Sequence, residues 1–326
     1  TLAGDETQKM LAAVDCFQSE DSSQQVLVAG WGEGGRLALY SSALDTRIDG
    51  ACVSGYFAPR DQVWNEPAAR TVFRLLREFG DAEIASLIAP RALVIEQSGY
   101  PEFVYRPDTN GEPEVLDKYS SNRGKPGKLI VPSGEELQQE FSRLQDQIVG
   151  LQDAQVKLIK ADEPMATSTL IDWLEQSGVE VEDAPKAGEI SYVLVRDDTD
   201  HQKTDQTRRQ ADQIAEIERH NQSELTESIR IRAEKFAKLK TESLAAYKES
   251  IKTFRKEFRE EVIGRFDQPL LPANARSRIY QEGSNTISYE VVLDVMPNVF
   301  AYGVLTVPKD LDLSGGDRRP VVVCQH

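Results

Sequence analysis

Short apolar runs alternate with amphipathic helical stretches along the first half of the chain, from residue 1 to about residue 178. The runs at residues 26–29, 50–57 and 88–96 have the length of strands and show little polar alternation. Such runs are typical of parallel strands that helices cover on both faces. The alternation of the two kinds of segment therefore predicts an α/β domain with a mainly parallel sheet.

The later part of this domain combines a predicted loop with two helices and a strand. Residues 100–127 are rich in Pro, Gly, Asp and Asn, which predicts a long surface loop. Ser133 and Glu136 have the spacing of a capping box at the start of a helix. That helix places four apolar residues on one face: Leu137, Phe141, Leu144 and Ile148. We further expect a short strand at residues 156–160 and a final helix at residues 169–176.

A connector and a helical arm follow. Residues 179–204 are an acidic connector in which residues 191–195 predict one strand. Residues 205–263 are almost free of Gly and Pro and dense in Glu, Lys, Arg and Gln. Apolar residues recur there at three- and four-residue steps: Leu244, Tyr247, Ile251, Phe254, Phe258 and Val262. This spacing predicts an amphipathic helix with a core-facing stripe.

The length of the arm leaves two interpretations open. An unbroken helix over residues 205–263 would extend roughly 90 Å, so we expect at least one break. The arm is either a coiled-coil or docking element, or a helical linker packed on its own domains. The apolar spacing before Phe236 is too irregular for sustained heptads, which favours the linker.

The segment 264–326 has a β pattern. Residues 288–295 and 299–308 predict two strands joined by a tight turn. Residues 319–326 predict a third strand, with a continuous apolar centre suited to burial on both faces.

Composition narrows the classes of partner. The chain has 326 residues, 40% of them apolar, and a net charge of −16. Nucleic acids and anionic membranes both attract positive patches, so this charge disfavours them as partners. No apolar run approaches the roughly 20 residues of a membrane-spanning helix. We therefore expect neither a nucleic-acid nor a membrane partner.

Cysteine and histidine usage argues against a disulfide framework and a metal site. The three cysteines lie in apolar contexts and are predicted to be buried thiols: Cys16, Cys52 and Cys324. The three histidines lack metal-ligand spacing: His201, His220 and His326. We expect no cofactor and no metal.

A glycine cluster directly follows the first apolar run and precedes a helical pattern. The sequence there is Gly30-Trp31-Gly32-Glu33-Gly34-Gly35. The simplest interpretation is a tight turn, because glycine reaches positive φ without strain. The spacing also fits the dinucleotide fingerprint Gly-x-Gly-x-x-Gly, which needs an acidic residue at the end of the next strand. Asp49 stands before that strand and Asp61 lies past its end.

A third interpretation is the nucleophile elbow of serine hydrolases. That elbow reads Gly-x-Ser-x-Gly, and its strained turn exposes the serine between a strand and a helix. Here the central residue is Gly32, which has no side chain. The scaffold for acyl transfer is thus predicted without the nucleophile.

Four stretches around the cluster carry a family resemblance: Ala13–Asp15, Gly34–Tyr40, Asp45–Asp49 and Ile88–Glu96. They are similar to segments of the acetyl-xylan-esterase and dienelactone-hydrolase-like branch of the α/β-hydrolases. The resemblance covers about the first half of the chain and favours the elbow interpretation over the other two.

The C-terminal strands resemble the opening of the same family's hydrolase domain. There the third strand runs into a His-Gly loop that helps to form the oxyanion hole, and His326 takes that position. The first half of the chain resembles the later part of a hydrolase domain, and the C-terminal strands resemble its beginning. The two matches are therefore in the wrong order for a single domain. Either the chain is a segment of a longer tandem hydrolase, or its terminal strands complete a circularly permuted domain. The second account pairs Val321–Cys324 with Val26–Ala29 and brings His326 near Gly32.

The family resemblance implies Ser–His–acid chemistry, which requires a nucleophile, a base and an acid at three matched positions. The nucleophile position is Gly32, and the candidate acids after the strand ending at Ile95 are Glu96 and Glu102. The base belongs in the loop after residues 156–160, where residues 161–167 contain no histidine.

Other residues are poor substitutes for the missing nucleophile and base. Ser54 lies in the strand after the elbow, and His201 and His220 lie in the connector and the arm. Glu33 and Gly34 are candidates for oxyanion or anion binding, since main-chain N–H donation survives the loss of serine. Alternatively, Glu33 merely sits at the positive end of the helix dipole.

We therefore expect a partial α/β-hydrolase sheet over residues 1–178, a connector at 179–204, a helical arm at 205–263 and a second hydrolase-like β segment at 264–326. The predicted function is that of a segment related to carboxylic-ester hydrolases, itself inactive. The alternatives are a non-catalytic binding or scaffold module and a dinucleotide-binding enzyme. The expected ligand is a small ester or carbohydrate. The helical arm and the C-terminal strand are the predicted routes of intramolecular or self-association.

Overall fold

The chain forms two compact units, Thr1–Ile217 and Glu218–His326. The computed structural model describes residues 2–115, 125–181, 199–265, 267–312 and 314–324. The described part of the first unit is an alternation of helices and strands, as the apolar pattern predicts.

Six α-helices and two short 3₁₀ helices, Val63–Asn65 and Ala68–Arg70, lie among the described residues of the first unit up to 181. The α-helices are α1 (Leu2–Glu20), α2 (Glu33–Leu44), α3 (Leu75–Glu78), α4 (Asp81–Ser86), α5 (Gly134–Ile148) and α6 (Thr167–Gln176). The strands of this part are β1 (Val26–Trp31), β2 (Ile48–Ser54), β3 (Ala92–Gln97), β4 (Val104–Tyr105), β5 (Gly127–Lys128) and β6 (Val156–Lys160).

A four-stranded parallel sheet forms the centre of this unit, in the order β1-β2-β3-β6. Each neighbouring pair is parallel, with Ala29 opposite Cys52, Cys52 opposite Val94, and Val94 opposite Lys157. Parallel neighbours require a crossover between them, which the intervening helices supply. The predicted α/β class and the parallel sheet are confirmed.

Helices cover both faces of the sheet. One face packs against α1, α2, α4 and α5 in a core that includes Val14, Leu39, Ile88 and Leu144. The opposite face packs against α6, whose Trp173 contacts the layer of Cys52 and Val94. Burial on both faces is the reason that these strands have continuous apolar sequences.

The capping box at the start of α5 is confirmed. The Ser133 hydroxyl accepts a hydrogen bond from the Glu136 amide, and the Glu136 carboxylate accepts one from the Ser133 amide. The four predicted apolar side chains of α5 are all buried. The strand at Val156–Lys160 and the helix α6 are confirmed as well.

The predicted surface loop at 100–127 contains two short strands at its ends. β4 and β5 pair antiparallel, with Val104 opposite Lys128 and Tyr105 opposite Gly127. Residues 116–124 lie outside the described part. The strand predicted at 191–195 and most of the acidic connector lie outside it too.

The helical arm is broken once within its described residues, as expected. α7 (Thr199–Phe236) ends at Phe236, and α8 (Leu244–Glu257) begins after the Ser243 cap and continues as a π-helical segment to Gly264. The rings of Phe236 and Phe254 stack at 4.8 Å. No described residue of α8 is buried, so the expectation that its stripe faces a core is wrong. The Phe236 contact is local to the turn and leaves Leu244 and Phe258 exposed.

An antiparallel sheet follows the arm in the second unit. It has the order β7 (Arg276–Glu282), β8 (Thr286–Met296), β9 (Val299–Pro308). The strands β8 and β9 were predicted, and β7 was not. Its alternating charged residues resemble a solvated segment, but Arg278 and Arg276 pair with Glu290 and Asp294 on β8.

The predicted third C-terminal strand is wrong for residues 319–324. Val321, Val322 and Val323 are more than 80% exposed and form no strand. A strand needs a neighbour for its N–H and C=O groups, and the described residues provide none here. In the described sheet, β1 pairs with β2. The pairing of Val321–Cys324 with Val26–Ala29 would join the two units, and it stays a prediction.

The cysteine prediction is correct for one residue of three. Cys52 is buried on β2, and this burial raises the pKa of its thiol to about 12. Cys16 and Cys324 are exposed, because α1 turns Cys16 outward and the run that holds Cys324 has no partner strand. None of the described helices has the length and apolar character needed to cross a membrane.

Candidate functional site

The glycine cluster forms a tight turn between β1 and α2. Gly32 has φ 58° and ψ −119°, a conformation that side chains with a Cβ rarely adopt. A Cβ at Gly32 would also lie 2.9 Å from Cγ of Pro101. A Cβ at Gly30 would lie 2.2 Å from the carbonyl group of Gly34, so the close approach of helix to strand requires glycine there. The backbone of an elbow is therefore present.

A cavity of about 520 Å³ lies over this turn. The elbow contributes Trp31, Gly32, Glu33 and Gly34 to its lining. The other lining residues come from α1, α2 and the segments after β2, β3 and β5: Leu2, Glu6, Arg36, Pro67, Ala69, Arg70, Pro101, Phe103 and Leu129. Trp31 is 43% exposed, so its ring is accessible to a ligand. The lining is mainly apolar, with a few convergent charged groups, as is usual in ligand pockets.

A chain of ion pairs runs along the cavity wall. The Glu33 carboxylate accepts hydrogen bonds from Arg70 Nε at 2.5 Å and Arg36 Nε at 2.8 Å, and Arg36 also pairs with Glu6. Burial opposes the ionisation of Glu33, but the two guanidinium groups outweigh it and lower the pKa of this carboxyl. Glu33 is thus a charged group at the N-terminus of α2, held in place by two arginines.

The candidate acid Glu96 is buried inside β3. Its carboxylate accepts hydrogen bonds from the Met165 amide at 2.7 Å and the Ala166 amide at 3.0 Å. It also accepts one from the Ser54 hydroxyl. The Ser54 hydroxyl lies 2.9 Å from that of Ser98 and is itself buried. Glu96 and Ser54 are therefore brought together, in the interior of the sheet.

The loop after β6 reaches Glu96 through its backbone. Met165 has a positive φ of 55°, and Ala166 caps the N-terminus of α6. Their amides bond both carboxylate oxygens of Glu96. In an acid–base pair, an imidazole would bond one of these oxygens. The arrangement satisfies the amides of the N-cap residue Ala166 and of Met165 before it, and it holds the start of α6 to β3.

The remaining candidates lie apart from this cluster. Glu102 is exposed in the segment between β3 and β4. His220 is exposed on α7, with Nε2 3.7 Å from Glu224. His326 lies outside the described residues, as does the side chain of His201. Gly34 lies in the first turn of α2 with open space around it.

The described residues show no group of His, Cys, Asp and Glu arranged to hold a metal ion. The strand β2 ends at Ser54 and is followed by Gly55, so no carboxylate stands at the position that a dinucleotide ribose would use.

One cluster was missed in the sequence. Arg60 is buried, bonds Asp81 through Nε at 3.0 Å, and lies 3.9 Å over the ring of Tyr56. Arg70 bonds Glu66 at 2.9 Å. The five residues form a buried ionic network beside the elbow. The available signal was the presence of charged residues close to the aromatic pair Tyr56-Phe57, but their spacing in the sequence indicates no pairing.

No protein-family model and no curated protein matches the chain. Among solved structures, it is similar to a glucuronoyl esterase from Solibacter usitatus, with 11% identity and a TM-score of 0.31. It is also similar to a carbohydrate esterase family 15 glucuronoyl esterase from Caldicellulosiruptor kristjansonii, with 14% identity and a TM-score of 0.28.

These similarities are partial on both sides. They cover 53% and 46% of this chain. The chain spans 47% and 42% of the two esterases, less than half the length of each. The chemistry that the site can perform therefore depends on the residues of this chain.

Proposed function

We propose that the first compact unit is an α/β-hydrolase-like domain that binds a small ligand over the glycine elbow without hydrolysing it. The ligand class is carboxylic esters and carboxylates, including those of carbohydrates. The observation that carries this proposal is the turn at Gly32, which keeps the strand–turn–helix geometry and an open cavity but has no side chain at its apex.

The absence of hydrolysis is supported by the positions of the other groups. Acyl transfer needs a nucleophile within reach of a base, and a base oriented by an acid. Ser54 is fully buried, and its hydroxyl donates to Glu96. The amides of Met165 and Ala166 use the Glu96 carboxylate, so this carboxylate supports the fold.

Ligand binding is supported by what remains at the elbow. The first amides of a helix have no partner within the helix, and those of Glu33 and Gly34 belong to residues that line the cavity. Such amides stabilise a carbonyl or carboxylate oxygen. Trp31 and Phe103 offer apolar surface to the body of the ligand.

Two measurements on the purified chain test the proposal. We expect release of p-nitrophenol from p-nitrophenyl acetate no faster than with heat-denatured protein, and no labelling by a fluorophosphonate. We expect methyl benzoate and benzoate to quench the fluorescence of Trp31. Trp64→Phe provides a suitable background, because Trp64 is exposed and Trp173 is buried.

Trp31→Phe in the same background is the matched control and should abolish the quenching. Burst release of p-nitrophenol or covalent labelling would refute the claim of inactivity. Quenching that persists in the Trp31→Phe protein, or no quenching at all, would refute the binding claim.

A further inference from the structure

A second cavity of about 230 Å³ lies next to the elbow cavity, and Arg70 lines both. Four members of the buried ionic network described above line it, as do residues of the segment 71–77. The polar residues that matter here are Tyr40, Tyr56, Arg60, Glu66, Arg70 and Arg74. None of them belongs to the elbow itself.

Four arginines line this cavity: Arg60, Arg70, Arg74 and Arg77. Among the described residues, the hydrogen bonds of Arg70 and Arg74 use only part of the donor capacity of these two guanidinium groups. Arg70 donates through Nε to Glu33 and through Nη1 to Glu66. Arg74 donates through Nη2 to Glu78 at 2.7 Å. Arg60 Nη1 is 3.7 Å from Glu66, too far for a hydrogen bond. A guanidinium has five donors in a planar fork that matches carboxylate oxygens.

Glu66 provides the cavity with a hydrogen-bond acceptor, whereas the arginines provide donors. Its side chain is 2% exposed, and its Oε1 atom accepts hydrogen bonds from Arg70 and from the Ile130 amide at 3.2 Å. Its Oε2 atom has no hydrogen-bond partner among the described residues. A buried acceptor without a partner destabilises the protein, and it does so more strongly when it is charged. A ligand that brings a donor to Glu66 would remove this destabilisation.

The backbone of the segment 71–77 is strained at Arg74. This residue has φ 65° and ψ −2°, the left-handed conformation, which is unfavourable for a residue with a Cβ. The strain places the Arg74 side chain at the cavity, where it is 38% exposed. Strained residues of this kind cluster at ligand sites.

We infer that this cavity binds a small carboxylic acid that also carries a hydroxyl or ammonium donor. The carboxylate pairs with the guanidinium groups of Arg70 and Arg74, and the donor bonds Oε2 of Glu66. A carboxylate without a donor gains the first interaction but leaves Glu66 unpaired and close to its own charge. The inference does not depend on ligand binding at the elbow.

Isothermal titration of the full chain with three acids of one carbon skeleton tests the inference. The acids are lactate, which has a hydroxyl, alanine, which has an ammonium group, and propionate, which has neither. A hydrogen bond to a charged group contributes about 1.5–3 kcal/mol. We therefore expect lactate or alanine to bind at least about tenfold more tightly than propionate. Equal binding of all three, or no binding of any, would overturn the inference.

Two variants separate a ligand site from a structural network. Glu66→Gln should reduce the preference over propionate to less than about threefold, because the charged acceptor is lost. Arg74→Lys should weaken every acid that binds, because a lysine lacks the planar fork. Arg47→Lys is the matched control, since Arg47 is a partly exposed arginine paired with Asp15 and Asp45. Circular dichroism checks that each protein is folded.

The inference fails if Arg74→Lys binds the acids as Arg47→Lys does. It also fails if Glu66→Gln keeps the wild-type preference. Should Glu66→Gln not fold, the comparison of Arg74→Lys with Arg47→Lys still decides the question.

Discussion

At the scale of single residues, Gly32 has the backbone conformation of an elbow but no side chain that could react. The conformation at Gly32 is one that suits a strained nucleophile turn, yet no atom stands there to react. The close approach of Gly30 to Gly34 shows that packing between strand and helix maintains the glycines. Packing is therefore a sufficient physical reason for glycine at these positions.

Gly32→Ser should fold less stably and stay inactive. A serine there adopts a positive φ of 58° and places Cβ 2.9 Å from Pro101. We expect the free energy of unfolding in urea to fall by about 1–3 kcal/mol. Turnover of p-nitrophenyl acetate should not rise, because no imidazole lies in the loop after β6 to accept the serine proton.

Gly34→Ser is the control for this substitution. Gly34 is helical and has open space around its Cβ position, so the change should leave stability within about 0.5 kcal/mol. Enzyme-like turnover by the Gly32→Ser protein would contradict the alignment of the base with residues 161–167.

At the scale of elements, Glu96 holds two of them together. It lies on β3 and accepts hydrogen bonds from the Met165 and Ala166 amides at the start of α6. A carboxylate at this end of a helix is stabilised by the free amides and by the helix dipole. The residue that family resemblance marks as an acid is thus a buried cap.

Glu96→Gln should destabilise the first unit by about 1–3 kcal/mol in urea denaturation. The amide has one accepting oxygen in place of two, so one of the donors at Met165 or Ala166 loses its partner. Glu102→Gln changes the other candidate acid at an exposed position and should have an effect below about 0.5 kcal/mol. Equal effects of the two substitutions would contradict the capping role of Glu96.

At the scale of the whole molecule, burial is concentrated in the first unit. Its sheet is packed on both faces, whereas no residue described after 181 is buried. The second unit exposes large apolar side chains on β9, including Phe300 and Tyr302, and the run Val321–Val323. Exposed apolar patches of this kind promote association.

Deleting residues 319–326 should reduce light scattering at high protein concentration and leave the melting temperature unchanged. The run removed is exposed and pairs with no described strand, so the packed sheet loses no contact when it is absent. Static light scattering and differential scanning calorimetry measure the two effects. A marked fall in the melting temperature would support the pairing with Val26–Ala29, and unchanged scattering would contradict the association.

Local patterns were sufficient for most of the parallel sheet. The strands at 26–31, 48–54 and 92–97 and the helix α5 follow from apolar runs and a capping box. These signals are local because each strand interior is apolar throughout, and each cap involves residues three positions apart. The glycine turn at Gly32 could be identified for the same reason.

Tertiary structure decided what depends on distant neighbours. Val321–Cys324 has a strand sequence but no partner, while β7 has a polar sequence and pairs through Arg276 and Arg278. Glu96 became a cap because the loop before α6 reaches it across 69 positions of sequence. By itself, the sequence determined the α/β class and the glycine at the apex of the turn after β1. Tertiary structure decided which charged groups pair with each other. Hydrogen bonds and ion pairs depend on how close two groups come in space, and they produce no periodic pattern in the sequence.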